Sequence, residues 1–144
     1  MASGTATTLT AQDRTALRDS VRRLLLDKSK EVDVRRTMET ESGFDADLWR
    51  QLGEMGITGL MIDEEYGGSG VSSVELEAVM EEAGAALLCS PLLASSVITA
   101  ELLRALGHAE TNKRLLPTIA SGECIACSVL TGDAGDWTQT GVAI

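Results

Sequence analysis

Up to Gly122 the apolar residues of this 144-residue chain recur at helical spacing, and beyond it they do not. That change of period constrains the fold more than any other feature. A helix buries a stripe that repeats every 3.6 residues, whereas a strand buries a face that repeats every two. Thr10, three residues before Asp13, is an N-cap signal. Leu17, Val21 and Leu24, with Leu25 beside them, predict a helix from about Ala11 to Lys28. A weaker helix follows through Val32, Val34 and Met38 and ends before Gly43. Asp45 caps a third, whose Leu48, Leu52 and Met55 share a face and which Gly56 can close in the left-handed conformation. Ser72 and Glu75 form a capping box ahead of a helix with Leu76, Val79, Met80, Ala83 and Leu87 on one side. Ser90-Pro91 opens a helix running to Leu106, apolar nearly all round, which predicts burial on most sides. The last helix, Ala109 to about Leu116, is stopped or kinked at Pro117.

After Gly122 the segment Cys124 to Thr131 is short, apolar and followed by Gly132 and Gly135, and it reads as a strand. Gly141 to Ile144 starts another. A lone hairpin is marginal in water and an open apolar edge invites pairing. The expected class is therefore an all-α helical bundle followed by the first strands of an incomplete β domain. The divisions are a flexible N-terminus over 1–9, a helical domain over 10–121 and the beginning of a β domain over 122–144, in a chain that looks truncated.

Charge and composition narrow the partners. The net charge is −10, and Phe44, Trp49, Tyr66 and Trp137 are the only aromatic residues. Phosphates would be repelled and there is little to stack bases on, so nucleic acid is excluded as a partner. No run is apolar and long enough to predict a membrane span, and the N-terminal MASGTATTL has neither the basic segment nor the apolar run of a secretory leader. With three cysteines and no leader pattern, a cytoplasmic setting and free thiols are expected. Between Arg50 and Arg104 there is no lysine or arginine, yet that stretch carries nine acids. It is either a solvated acidic face or a surface for a partner.

Three motifs invite chemistry. Gly67, Gly68 and Gly70 suggest a phosphate loop, but no Gly-Lys-Ser/Thr ending follows and Asp63, Glu64 and Glu65 precede them, so they read as a turn. Cys124 and Cys127 have metal-like spacing, but no second pair exists and residues three apart on a strand face opposite ways, so no metal site is expected. Ser95 and Thr99 share a helix face; their hydroxyls either bond back to the preceding turn or line a cavity.

The run Gly59-Leu60-Met61-Ile62-Asp63-Glu64-Glu65-Tyr66-Gly67-Gly68-Ser69-Gly70-Val71, then Glu81-Glu82-Ala83-Gly84, then Leu116-Pro117-Thr118-Ile119-Ala120-Ser121-Gly122-Glu123, closely resembles the N-terminal part of the acyl-CoA dehydrogenase family. The resemblance covers Leu9 to the end of the chain. It implies a flavoprotein of three domains, helical, β and helical, in which a carboxylate base removes the α proton of an acyl-CoA thioester and FAD takes the β hydrogen as hydride. The implied partners are acyl-CoA and further dehydrogenase subunits in a homo- or hetero-oligomer.

In most of the family the catalytic glutamate lies in a C-terminal domain, so the resemblance implies no catalytic residue here, and the 144 residues alone should be inactive. The resemblance assigns Ser128, Leu130 and Thr131 to the first flavin-contacting strand. It assigns Ala94, Ser95, Ile98 and Thr99 to the wall of the acyl chamber, where the small Ala94 and Ser95 would leave room for a bulky or branched chain. Beyond Thr131 the pattern departs: Gly132-Asp133 stands where the family has Glu-Pro, and Asp136 where a serine faces the cofactor phosphate. This departure implies an alternative, a non-catalytic dehydrogenase-like subunit with a degraded flavin site in a heteromeric complex.

Overall fold

The computed structural model describes residues 7–129 and 131. The described chain is helical: α1 (Ala11–Lys28), α2 (Glu31–Met38), α3 (Ala46–Glu54), α4 (Ser73–Ala85), a π-helical segment Leu93–Thr99 that runs directly into α5 (Ala100–Leu106), and α6 (Ala109–Ala120). The caps expected from sequence are present. Thr10 Oγ1 accepts from the Asp13 N–H at 3.2 Å, Asp45 from the Leu48 N–H at 2.9 Å, and Ser72 and Glu75 close the capping box of α4. Gly56, at φ +75°, lets the Ile57 N–H reach back to the Leu52 carbonyl at 2.9 Å and end α3.

Between α3 and α4 the chain is held by its own backbone. Ser69 donates to the Gly59 carbonyl at 3.0 Å, Gly70 to Ile62 at 2.9 Å and Val71 to Leu60 at 3.1 Å. A Cβ at Gly68 would lie 2.0 Å from the Ile62 oxygen, so only glycine fits there. The glycine run is a packing device around the short 3-10 turn Glu64–Tyr66.

Two apolar clusters make the core. One gathers Val21 and Leu25 of α1, Trp49 and Leu52 of α3, and Val79 of α4. The other gathers Ala100 of α5, Leu116 and Ile119 of α6, and Ile62 of the loop, with Cys124 and Ala126 packed on it.

Five expectations change. Helix α6 continues through Pro117 to Ala120, because the lost hydrogen bond frees only the carbonyl of the exposed Lys113, which water can reach. Leu87 does not extend the apolar face of α4; it lies beyond the helix at φ +49° and is exposed. The helix opened by Ser90-Pro91 is not buried on most sides: Leu93, Ile98, Leu102 and Leu106 are exposed, and its buried positions include Ser95, Ser96 and Thr99. Of the N-terminal residues expected to fray, Thr7 instead bridges Val71 and the Leu9 N–H donates to Glu75. The segment 124–129 is extended but forms no ladder among the described residues, and the second strand, Gly141 to Ile144, lies outside them.

Candidate functional site

The extended segment is delivered to one place by the end of α6. Thr58, fully buried, donates to the Ala120 carbonyl at 2.7 Å, and Trp49 Nε1 donates to the Gly122 carbonyl at 2.8 Å. Gly53 has room for no side chain, since a Cβ would sit 2.7 Å from the Ser121 oxygen. The Cys124 N–H then donates to Thr118 at 2.9 Å. From there the chain alternates, with Cys124, Ala126 and Ser128 half-buried and Ile125, Cys127 and Val129 exposed.

The half-buried side meets the π segment. Ser95, at 0% exposure, accepts from the Ala126 N–H at 3.0 Å, and Thr99 Oγ1 lies 3.0 Å from Ser128 Oγ. Thr99 also donates to the Ala94 carbonyl at 2.8 Å, five residues back, which is the reach of π rather than α winding. Thr99 bonds back to its own helix, the first of the two sequence readings, and the pair also grips a second segment.

Of the residues that the resemblance assigns to the acyl wall, Ala94 and Ile98 lie on the exposed side with Leu93 and Leu102, while Ser95 and Thr99 meet the segment 124–129. Of the residues that the resemblance assigns to the flavin-contacting strand, Ser128 is brought against Thr99 and Thr131 is half-buried; Leu130 lies outside the described residues, as do residues 132–137. Among the described residues the amides of Ile125, Cys127, Ser128 and Val129 take no partner. That donor set suits either another strand or the hydrogen-bonding rim of a planar ring such as a flavin. No group of His, Cys, Asp or Glu among the described residues could hold a metal, and no helix there is long and apolar enough to cross a membrane.

The acidic stretch proves to be neither bare nor uniformly solvated. Glu75 on α4, at 0% exposure, accepts from Arg14 Nη2 at 3.0 Å, from the Leu9 N–H at 3.2 Å and from the Ser72 N–H at 3.1 Å. Burial pushes its carboxyl up, but hydrogen bonds from Ser72, Arg14 and Leu9 outweigh that and hold it at about 2. Glu82 pairs with Arg22 at 2.6 Å, and those hydrogen bonds keep its carboxyl below the ordinary value. Glu81 pairs with Arg18, Glu54 with Arg50, and Asp63 and Glu101 with Arg104. The signal was in the sequence: Arg14, Arg18 and Arg22 recur every four residues and Glu75 and Glu82 are seven apart, two stripes that mate when α1 lies along α4.

Comparison with known proteins gives a consistent result. A family model described as "Acyl-CoA dehydrogenase, N-terminal domain" matches residues 11–123. The acyl-CoA dehydrogenase IpdE2 of Mycobacterium tuberculosis is 35% identical over 123 residues, covering 85% of this chain and 38% of that protein. The solved ChsE4-ChsE5 complex from Mycobacterium tuberculosis superposes with a TM-score of 0.77 at 28% identity, covering 89% of this chain and 35% of that one. A steroid ACAD, Tcur3481-Tcur3483, superposes with a TM-score of 0.70 at 27% identity, covering 85% of this chain and 33% of that one. The chain thus spans little more than a third of the length of such relatives.

Proposed function

The chain belongs to the acyl-CoA dehydrogenase family, as its N-terminal domain over residues 11–123, and from that premise we propose that it walls the acyl chamber of a FAD-dependent acyl-CoA dehydrogenase. The observation that carries the reading is the uncovered apolar side of the π segment and α5, where Leu93, Ala94, Ile98 and Leu102 face outward beside the strand that leads to Thr131. A contiguous apolar surface of this kind marks an interaction site. A thioester's acyl chain and the remaining dehydrogenase domains are occupants of the right chemistry.

FAD, when bound, supplies the acceptor for the β hydrogen. The residues of this chain bind and exclude water: Ala94 and Ile98 contact the acyl group, and the main chain near Ser128 and Thr131 lies against the flavin ring. The catalytic base is not among the 144 residues, so the chain alone neither retains FAD nor oxidises acyl-CoA. Stoichiometric flavin surviving gel filtration of this chain would refute that. The small, outward-facing side chain of Ala94 favours a bulky acyl group, and the resemblance to solved steroid-ACAD and two-protein complexes supports a heteromeric assembly. A cytoplasmic setting is part of the same reading, and it would keep Cys89, Cys124 and Cys127 as thiols.

A second reading is favoured by Gly132-Asp133 and Asp136, which replace the pattern that faces the cofactor. In it the chain belongs to a non-catalytic subunit that shapes the chamber of a partner. Both readings are tested in the complete enzyme with Ala94→Leu, assayed on acyl-CoAs of increasing bulk. The substitution should impair bulky substrates over short straight ones by roughly 1–3 kcal/mol in discrimination. Equal loss on all substrates, or loss on none, removes Ala94 from the chamber. A yellow wild-type subunit, isolated in complete form, selects the catalytic reading; a colourless one selects the second.

A further inference from the structure

Resting on the catalytic reading, we infer that Ser95 and Thr99 are positioning residues that fix the strand carrying Ser128 and Thr131 against the acyl wall. Neither needs to touch substrate or flavin. The geometry is a two-point clamp: Ser95 Oγ holds the Ala126 N–H at 3.0 Å and Thr99 Oγ1 holds Ser128 Oγ at 3.0 Å. Helix residues four apart are about 5–6 Å apart on the surface, and strand residues two apart are about 6.6–6.8 Å apart. One helix face can therefore seize alternate residues of one strand and set its register.

Proton accounting gives the clamp a direction. A threonine hydroxyl has one hydrogen, and that of Thr99 goes to the Ala94 carbonyl at 2.8 Å. The bond at 3.0 Å between Thr99 and Ser128 must then be donated by Ser128. The result is a directed chain, Ser128 to Thr99 to Ala94, that ties the strand to the wall residue itself. The π winding makes it possible, since it brings the carbonyl five residues back within reach of Thr99. With its hydroxyl donated to Thr99, Ser128 presents its main chain to a ligand.

Burial alone does not call for hydroxyls here. Ala at 95 and Val at 99 would fill the same space, but the Ala126 amide would lose its acceptor and the strand its register.

The test uses the complete polypeptide with the subunits it assembles with, as wild type, Ser95→Ala, Thr99→Val and the conservative Thr99→Ser. Three quantities are read: the flavin dissociation constant, the visible absorbance bands of bound flavin, and amide exchange over residues 124–129. Ser95→Ala and Thr99→Val should each weaken flavin binding about three- to tenfold, the worth of one hydrogen bond. They should also shift the flavin bands and speed exchange at Ala126, whereas Thr99→Ser should restore the wild-type spectrum. Lower thermal stability with unchanged flavin affinity and spectrum overturns the positioning role and leaves the catalytic reading standing. A wild type that binds no flavin sinks the catalytic reading, and this inference with it.

Discussion

Two polar seams hold this molecule together, and they are built from different chemistry. Along α1 and α4 the seam is ionic: Glu75 and Glu82 are buried while Arg14, Arg18 and Arg22 reach out to water. Along the π segment and the segment 124–129 it is neutral: Ser95, Thr99 and Ser128 bond without a formal charge. The surfaces beside them differ in the same sense. The first borders charged, solvated side chains; the second borders Leu93, Ile98, Ile125 and Val129, the last 74% exposed. A buried ion pair needs its partner and benefits from water at its rim, whereas hydroxyls satisfy a backbone cheaply and tolerate a dry neighbour. The charges of the ionic seam pair with one another among the described residues. The neutral one borders apolar side chains that the described residues leave exposed.

The comparison breaks first at Glu75. Glu75→Ala strands Arg14 and the Leu9 amide and should cost about 2–4 kcal/mol of unfolding free energy, measured by denaturant titration. A loss below that of a surface substitution would mean that the ionic seam is decorative.

Acid sharpens the contrast. The Glu75 carboxyl lies at about 2 when folded against 4.5 ordinarily, and that of Glu82 is also lowered. As pH falls the unfolded chain takes up protons first. Stability should therefore be level above about pH 4.5 and decline from there toward pH 2. Glu75→Gln should flatten that decline; Ser95→Ala should leave its slope unchanged.

Thr58→Val tests the anchor between the two regions. It leaves the Ala120 carbonyl without its 2.7 Å partner and should cost roughly 1–3 kcal/mol. It should also speed amide exchange over residues 123–126. The smallest effect is expected on the bare side: Ile98→Gln and Leu102→Gln should change the stability of this chain by no more than about 0.5 kcal/mol. In the complete enzyme the same substitutions should impair assembly or turnover, a contrast that no ordinary surface position would give.

Much of this was legible in the residues. Thr10, Asp45 and the Ser72–Glu75 box marked helix starts because capping is a local bargain between a side chain and the next turn. The family motifs around Asp63–Gly70 and Leu116–Glu123 carried the identity of the domain. What was hidden is non-local. Glu75, Glu81 and Glu82 looked unpaired because their cations lie about 60 residues earlier, on α1. The all-round apolarity of Pro91 to Leu106 predicted burial, but composition does not say whether the covering surface belongs to the same segment of chain. The clamp was half visible: Ser95 and Thr99 shared a face in sequence, and only the fold brought Ala126 and Ser128 to it.

The most direct measurement is hydrogen exchange of the complete enzyme with and without an acyl-CoA ligand, resolved by peptide. The account predicts protection over residues 93–102 and 124–131 on ligand binding, with the α1–α4 seam unchanged. Protection along α1 and α4, with residues 93–102 exchanging as freely as before, would contradict it.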